Sequence, residues 1–126
     1  MASRLFQFNY TYERDMVTIH AKVAIGASGA PTLNTTLSKG IVSITRNSAG
    51  QYTLVMKDQM NKLMSVEACV LSSTGISASP NVGVKTDNVN GTTPSVTIVC
   101  STGGTATDPG SGETLLLTIH CRQAST

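Results

Sequence analysis

GIVSITRNSAGQYTLVMKD, residues 40–58, is the stretch of the sequence that decides the fold. Apolar and polar residues alternate on both sides of a polar turn, which is typical of half-buried β-strands. We predict a strand over Gly40–Arg46, a turn over Asn47–Gly50 and a returning strand over Gln51–Lys57. Gly50 is placed to adopt a positive φ, which glycine does at no steric cost. The returning strand carries its large apolar side chains on one face: Tyr52, Leu54 and Met56.

The same alternation recurs along most of the chain, so further strands are expected on both sides of this hairpin. Gly- and Pro-rich stretches separate them, notably GASGAP at 26–31 and STGGTATDPGSG at 101–112. The pattern predicts an all-β fold: a single-domain antiparallel β-sandwich or jelly-roll-like fold with at most one short helix. The further strands are predicted at 17–25, 67–72, 82–86, 96–100 and 113–122.

The segments between the predicted strands carry more local signals. In DQMNKLMS, residues 58–65, Asp58 is placed to cap a short helix that carries Met60, Leu63 and Met64. Thr32–Lys39 is polar and irregular. Asn90-Gly91 favours a primed turn, and 101–112 is expected to be a long loop.

Composition narrows the possible partners. The chain has 126 residues, enough for one domain, and only 13% of them are charged, against about 25% in an ordinary soluble domain. The net charge is +2 and the basic residues are scattered singly, so we expect no nucleic-acid partner. No apolar run approaches the roughly twenty residues of a membrane span, and no secretory signal is recognisable. We therefore expect synthesis in a reducing cytoplasm and no membrane partner.

Three cysteines, Cys69, Cys100 and Cys121, fall within predicted strands. They lack the spacing of a zinc site, and an odd number cannot pair fully within one chain. The simplest interpretation is that all three are small buried side chains in a reducing compartment. A disulfide between Cys100 and Cys121 is the alternative.

No residue pattern indicates catalysis. His20 and His120 lie in similar hexapeptides, VTIHAK and LTIHCR, out of phase with the apolar residues. They are expected on the outer face of the sheet, although two neighbouring strands could bring them together at a metal. Asp108 could be an acid or a metal ligand, with Glu113 nearby, but Asp-Pro-Gly is more simply a turn. The sequence therefore predicts no enzyme, no cofactor, no metal and no small-molecule substrate.

Four of the five aromatic residues lie in the first dozen positions: Phe6, Phe8, Tyr10 and Tyr12. They alternate with polar residues, so they form either a core strand or an N-terminal arm that docks on a partner. These four are our candidate partner-contact residues. We divide the chain into an N-terminal strand or arm at 1–16 and a β-sandwich domain at 17–126.

Four stretches resemble small structural proteins of tailed bacteriophages, and in particular head decoration, or cement, proteins. They are MASRLFQFNYTYERDMV at the start, GASGAPTL at 26–33, SKGIVSITRNSAGQYTLVMKD at 38–58 and ATDPGSGETLLLTIHCR at 106–122. The resemblance covers nearly the whole chain and consists of strand and turn patterns, with no reactive signature.

The resemblance implies a virion protein on the outside of a capsid, made in the cytoplasm of the bacterial host. It also implies two partners: the major capsid protein, whose subunits it would bridge and stabilise, and further copies of itself, often as a homotrimer. Similar β-folds serve in tails, so a tail or fibre-associated β-sandwich binding module is the alternative. An aromatic-poor surface without tryptophan argues against glycan binding by such a module.

Overall fold

The computed structural model describes residues 15–77 and 81–123. Within these ranges the chain forms nine strands joined by tight turns and short loops. No helix in the described ranges is long and apolar enough to cross a membrane. The strands are β1 (Met16–Ile25), β2 (Pro31–Leu33), β3 (Ile41–Ser48), β4 (Gln51–Met56), β5 (Lys62–Leu71), β6 (Asn81–Asn88), β7 (Ser95–Thr102), β8 (Thr105–Ala106) and β9 (Thr114–Arg122).

The strands form two sheets that pack face to face. The first sheet has the order β2-β1-β9-β5, and the second has the order β3-β4-β7-β6, with the short β8 also paired to β7. All the pairings are antiparallel. The predicted all-β antiparallel sandwich is therefore confirmed.

The core lies between the sheets and is filled by alternate residues of the four central strands. Residues on the predicted inward faces are at most 5% exposed, with the exception of Val17, which is half-buried. Fully burying one such aliphatic side chain contributes roughly 1.5–3 kcal/mol. The buried residues of the central strands are Ile19, Ala21, Val23 and Ile25 on β1, Tyr52, Leu54 and Met56 on β4, Val96, Ile98 and Cys100 on β7, and Leu115, Leu117, Ile119 and Cys121 on β9.

The hairpin at 40–58 forms as predicted, with a tighter turn. β3 continues to Ser48, so the turn comprises only Ala49 and Gly50. Gly50 has a φ of 72°, which confirms its predicted role. A Cβ atom there would lie 2.4 Å from the carbonyl oxygen of Cys100, so the turn is pressed against β7.

The predicted short helix at 58–65 is wrong. Asp58 is exposed and caps nothing, and β5 begins at Lys62. Lys62 pairs with Arg122 and Leu63 with Cys121, so β9 supplies partners that an isolated helical turn would lack. Met60 is nevertheless buried, and its amide donates to the Val89 carbonyl oxygen at 2.9 Å.

Three loop predictions also need correction. Residues 32–39 are not wholly irregular, because β2 runs to Leu33 and pairs with the end of β1. Asn90-Gly91 does not form a primed turn, since neither residue has a positive φ. The stretch at 101–112 is not a continuous loop: Gly103 and Gly104, with φ of 58° and 83°, join β7 to β8.

The N-terminal aromatic residues Phe6, Phe8, Tyr10 and Tyr12 lie outside the described residues. β1 begins at Met16, one residue before the predicted strand. The division of the chain at residue 16 therefore stays a prediction.

Candidate functional site

Asp108, in the loop after β8, accepts hydrogen bonds from several donors of the 40–58 hairpin. Its Oδ1 accepts from Nε of Arg46 at 3.0 Å, and its Oδ2 accepts from Nη2 of the same side chain at 2.7 Å. The backbone N–H of Gly50 donates to Oδ1 at 2.8 Å. The Tyr52 hydroxyl donates to Oδ1 at 2.9 Å and lies 3.1 Å from the Gly29 carbonyl oxygen. We call Arg46, Tyr52 and Asp108 the Asp108 clamp.

The electrostatics of the clamp favour a structural role for Asp108. Hydrogen bonding from Arg46 lowers the pKa of Asp108 to about 2, with help from Gly50 and Tyr52 and against the effect of burial. The pKa of Tyr52 is raised, chiefly by burial and then by its hydrogen bond to Asp108. A carboxylate that stays ionised and is already bound to strong donors is poorly suited to proton transfer. The structure uses Asp108 to tie the 40–58 hairpin to the loop after β8.

Glu113, the other acid of this loop, holds a different contact. Its Oε2 accepts from the backbone N–H of Gly110 and from the Ser77 hydroxyl, both at 3.1 Å. The two acids therefore stabilise separate parts of the loop between β8 and β9.

The two histidines lie on the outer face of the first sheet, as the sequence predicts. β1 and β9 are neighbours, and His20 pairs with Thr118 while His120 pairs with Thr18. Each imidazole thus faces a threonine, with Nδ1 3.3 Å from the hydroxyl oxygen, and the two histidines are diagonal to each other.

One carboxylate lies near this histidine pair. Nε2 of His120 is 3.7 Å from Oε2 of Glu67, which is mostly exposed. Across the described residues, no group of three or more His, Cys, Asp or Glu side chains is arranged to hold a metal ion.

The cysteines divide into two kinds. Cys100 and Cys121 are buried in different sheets and are free thiols, so the alternative of a disulfide between them is wrong in this structure. Burial raises the pKa of each to about 11, which keeps both thiols protonated and unreactive. Cys69 is exposed, against the prediction that all three are buried, because it lies on the outer face of an edge strand.

One side of the sandwich, formed by β5 and β6, is poorly covered. On β5, Leu63, Val66 and Val70 pair with buried residues of β9 and so face inward, yet they are only half-buried. On β6, Val82 is half-buried and Val84 is 43% exposed, although it pairs with buried Ile98. We call these five residues the open flank.

Exposed apolar side chains concentrate around the open flank. Among the described residues, six large apolar side chains are exposed, and four of them lie on β5, on β6 or between the two. The four are Met64, Leu71, Ile76 and Val84, and the other two are Leu37 and Val42. Leu71 faces outward like Cys69, because it pairs with Thr114, so these four side chains are divided between the two faces of the strands and only Val84 belongs to the open flank.

The open flank was missed in the sequence, although a signal was present. In NVGVKTDN, residues 81–88, only two apolar residues alternate before the strand turns polar. Such a short apolar pattern is typical of an edge strand that leaves part of its inner face uncovered.

Comparison of the chain with protein-family models, with curated proteins and with solved structures finds no match.

Proposed function

We propose that the protein is a structural virion component, a capsid decoration or cement protein, which binds neighbouring subunits and catalyses no reaction. The open flank is the observation that carries this proposal. It gives a rigid sandwich an apolar surface suited to protein–protein contact. The acids of the 107–113 loop, by contrast, are engaged in holding that loop.

The sequence resemblance supplies the specific role. Its partners would be the major capsid protein and further copies of this chain, arranged as a homotrimer on the capsid exterior. In such a lattice many modest contacts add up to tight attachment, because each bound copy raises the effective concentration of the next contact. The low charge of the chain suits this arrangement, since dense packing of like charges costs free energy.

The candidate contact residues Phe6, Phe8, Tyr10 and Tyr12 belong to this proposal. Aromatic side chains offer a large contact area and lose little entropy when they bind. We expect removal of residues 1–12 to weaken attachment to particles more than it weakens folding. Co-sedimentation with particles stripped of the protein measures the first effect and thermal unfolding the second. Normal coating by the shortened protein would refute the contact role.

Electron microscopy of the parent particle tests the role itself. We expect density for this chain on the head, at junctions between capsid subunits, and loss of that density in particles made without it. Those particles should also rupture at lower temperature. Density on the tail would support the alternative of a tail or fibre-associated module, and absence from the particle would overturn both.

A further inference from the structure

We propose that the open flank binds residues 5–12 of a second copy of this chain, so that copies assemble by exchanging their aromatic segments. The inference concerns self-association alone. It deepens the proposed function by naming one contact of the assembly, and it can fail while the role on the particle stands.

Both strands of the open flank have an unused edge. Among the described residues, β5 pairs only with β9 and β6 pairs only with β7. β5 and β6 lie beside each other across the gap between the two sheets. A strand added next to β5 would gain main-chain hydrogen bonds and would place alternate side chains over the half-buried valines.

The segment at 5–12 has the chemistry and length for that position. Phe6, Phe8, Tyr10 and Tyr12 occur at every second position, so an extended chain presents all four on one face. Eight extended residues span about 27 Å, and the ten of β5 span about 34 Å. The internal stretch outside the described residues, 78–80, is too short to cover the flank.

A groove at one end of the flank fits the end of such a strand. It has a volume of about 370 Å³ and is lined by Leu63 at the start of β5 and by residues 87–91, which comprise the end of β6 and the turn that follows it. It lies at the end of the sheet where β1 also begins, because Met16 and Lys62 both pair with Arg122.

The short connection between the segment and β1 favours a segment donated by a second copy over the segment of the same chain. Met16 lies two strands away from Lys62 in the sheet, so a position beyond β5 is three strand spacings, about 14 Å, from Met16. The four residues from Tyr12 to Met16 reach about 14 Å only when fully extended. A segment from a neighbouring copy is free of that restraint.

The point from which the chain's own segment would start is also fixed. The Gln123 N–H donates to the Asp15 carbonyl oxygen at 2.9 Å, and the Asn61 N–H donates to the Arg122 carbonyl oxygen at 3.1 Å. These contacts continue the pairing of β1 and β5 with the β9 segment by one residue, so the chain is held in the sheet as far back as Asp15. If each copy donates one segment and accepts one, two copies can exchange segments reciprocally in a dimer, or several copies can do so around a closed ring.

The first test compares two exposed valines in the full chain. Val84→Glu places a charge on the open flank, and Val42→Glu places the same charge on β3, where Val42 is 60% exposed. We expect the unsubstituted protein to be an oligomer by light scattering. Val84→Glu should raise the dissociation constant at least about tenfold and Val42→Glu should leave it unchanged. Val84→Ser is the milder variant if Val84→Glu does not fold.

The second test asks whether the segment comes from another copy. Phe6→Ser/Phe8→Ser in the full chain leaves the flank intact, and Val84→Glu leaves the segment intact. Each variant alone should be monomeric, whereas their mixture should form a complex, because one donor segment then meets one intact flank. A monomeric unsubstituted protein, equal effects of both valine variants, or a mixture that stays monomeric would each overturn the proposal. Particle binding, measured separately, decides the proposed function.

Discussion

At the scale of single residues, Asp108 is a polar side chain on which we expect stability to depend strongly. Asp108→Asn removes the charge that binds Arg46 and weakens acceptance from Gly50 and Tyr52. Hydrogen bonds to a charged group contribute about 1.5–3 kcal/mol each, so we expect a loss of about 2–3 kcal/mol in the free energy of unfolding. Urea titration measures the loss. Asp58→Asn, at an exposed position, is the matched control and should change stability by less than about 0.5 kcal/mol.

The lowered pKa of Asp108 predicts how the stability difference between the unsubstituted protein and Asp108→Asn changes in acid. The pKa of Asp108 is lowered to about 2, chiefly by hydrogen bonding from Arg46, from about 3.9 in an unfolded chain. Its contribution is therefore complete above about pH 4 and disappears as pH falls through about 2. Unfolding free energies measured across this window should converge for the unsubstituted protein and Asp108→Asn. A constant difference down to pH 2 would contradict the clamp.

The role of Asp108 could not be predicted from the sequence, for a reason of distance. Arg46 and Asp108 are 62 positions apart, and they meet only because the loop after β8 folds over the hairpin. Local turn chemistry favoured a turn at Asp-Pro-Gly, but the turn lies later, at 111–112, where the Glu113 N–H donates to the Gly110 carbonyl oxygen at 3.1 Å. The local signal also carried no information about the partners of Asp108. Cys69 shows the same limit, since its exposure follows from the position of β5 at a sheet edge.

At the scale of elements, the turn between β3 and β4 should not tolerate a side chain at Gly50. Gly50 and Gly75 have nearly equal φ, 72° and 75°, but a Cβ at Gly50 would meet backbone atoms of Cys100 and Thr107 while one at Gly75 would meet nothing within 4 Å. Gly75→Ala should therefore lower the free energy of unfolding only by the cost of placing alanine in the left-handed region, about 1–2 kcal/mol.

Gly50→Ala should cost more, because the backbone of β3–β4 or β7 must also shift, and overpacking adds roughly 1–3 kcal/mol. Thermal unfolding of the two variants side by side isolates this difference, since the conformational penalty is shared. Equal melting temperatures would show that the hairpin turn is not pressed against β7.

Strands in which apolar and polar residues alternate over many positions were predicted well. Segments whose structure depends on contacts with distant parts of the chain were not. β1, β4, β7 and β9 carry several apolar residues at every second position, and each forms with the expected inward face. The start of β5 reads locally as a capped helical turn, but pairing with β9 decides its structure. Asn90-Gly91 likewise favours a primed turn locally, whereas the Gly91 N–H closes a turn on the Asn88 carbonyl oxygen at 3.1 Å.

At the scale of the whole molecule, the sequence predicted two packed sheets but not the order of the strands within each sheet. Period-two alternation shows that each strand has one buried face, which requires two packed sheets. It does not show that β1 and β9, from opposite ends of the described chain, lie side by side at the centre of one sheet. The position of β5 and β6 at one shared flank follows from that order. The short apolar pattern at 81–88 therefore indicates an edge strand but does not show which strand lies opposite it.

The order of the strands predicts how protection from hydrogen exchange is distributed. β9 pairs with β1 and β5 and alternates buried with half-buried residues, whereas β6 pairs on one side only and all its residues except Val82 are exposed. Amides of β9 should exchange slowest and those of β6 among the fastest, because local opening of β6 exposes little apolar surface. Exchange followed by mass spectrometry at high and low protein concentration measures this. Association at the open flank would slow exchange in β6 only at high concentration. Equal protection of β6 and β9 at every concentration would contradict both the strand order and the uncovered flank.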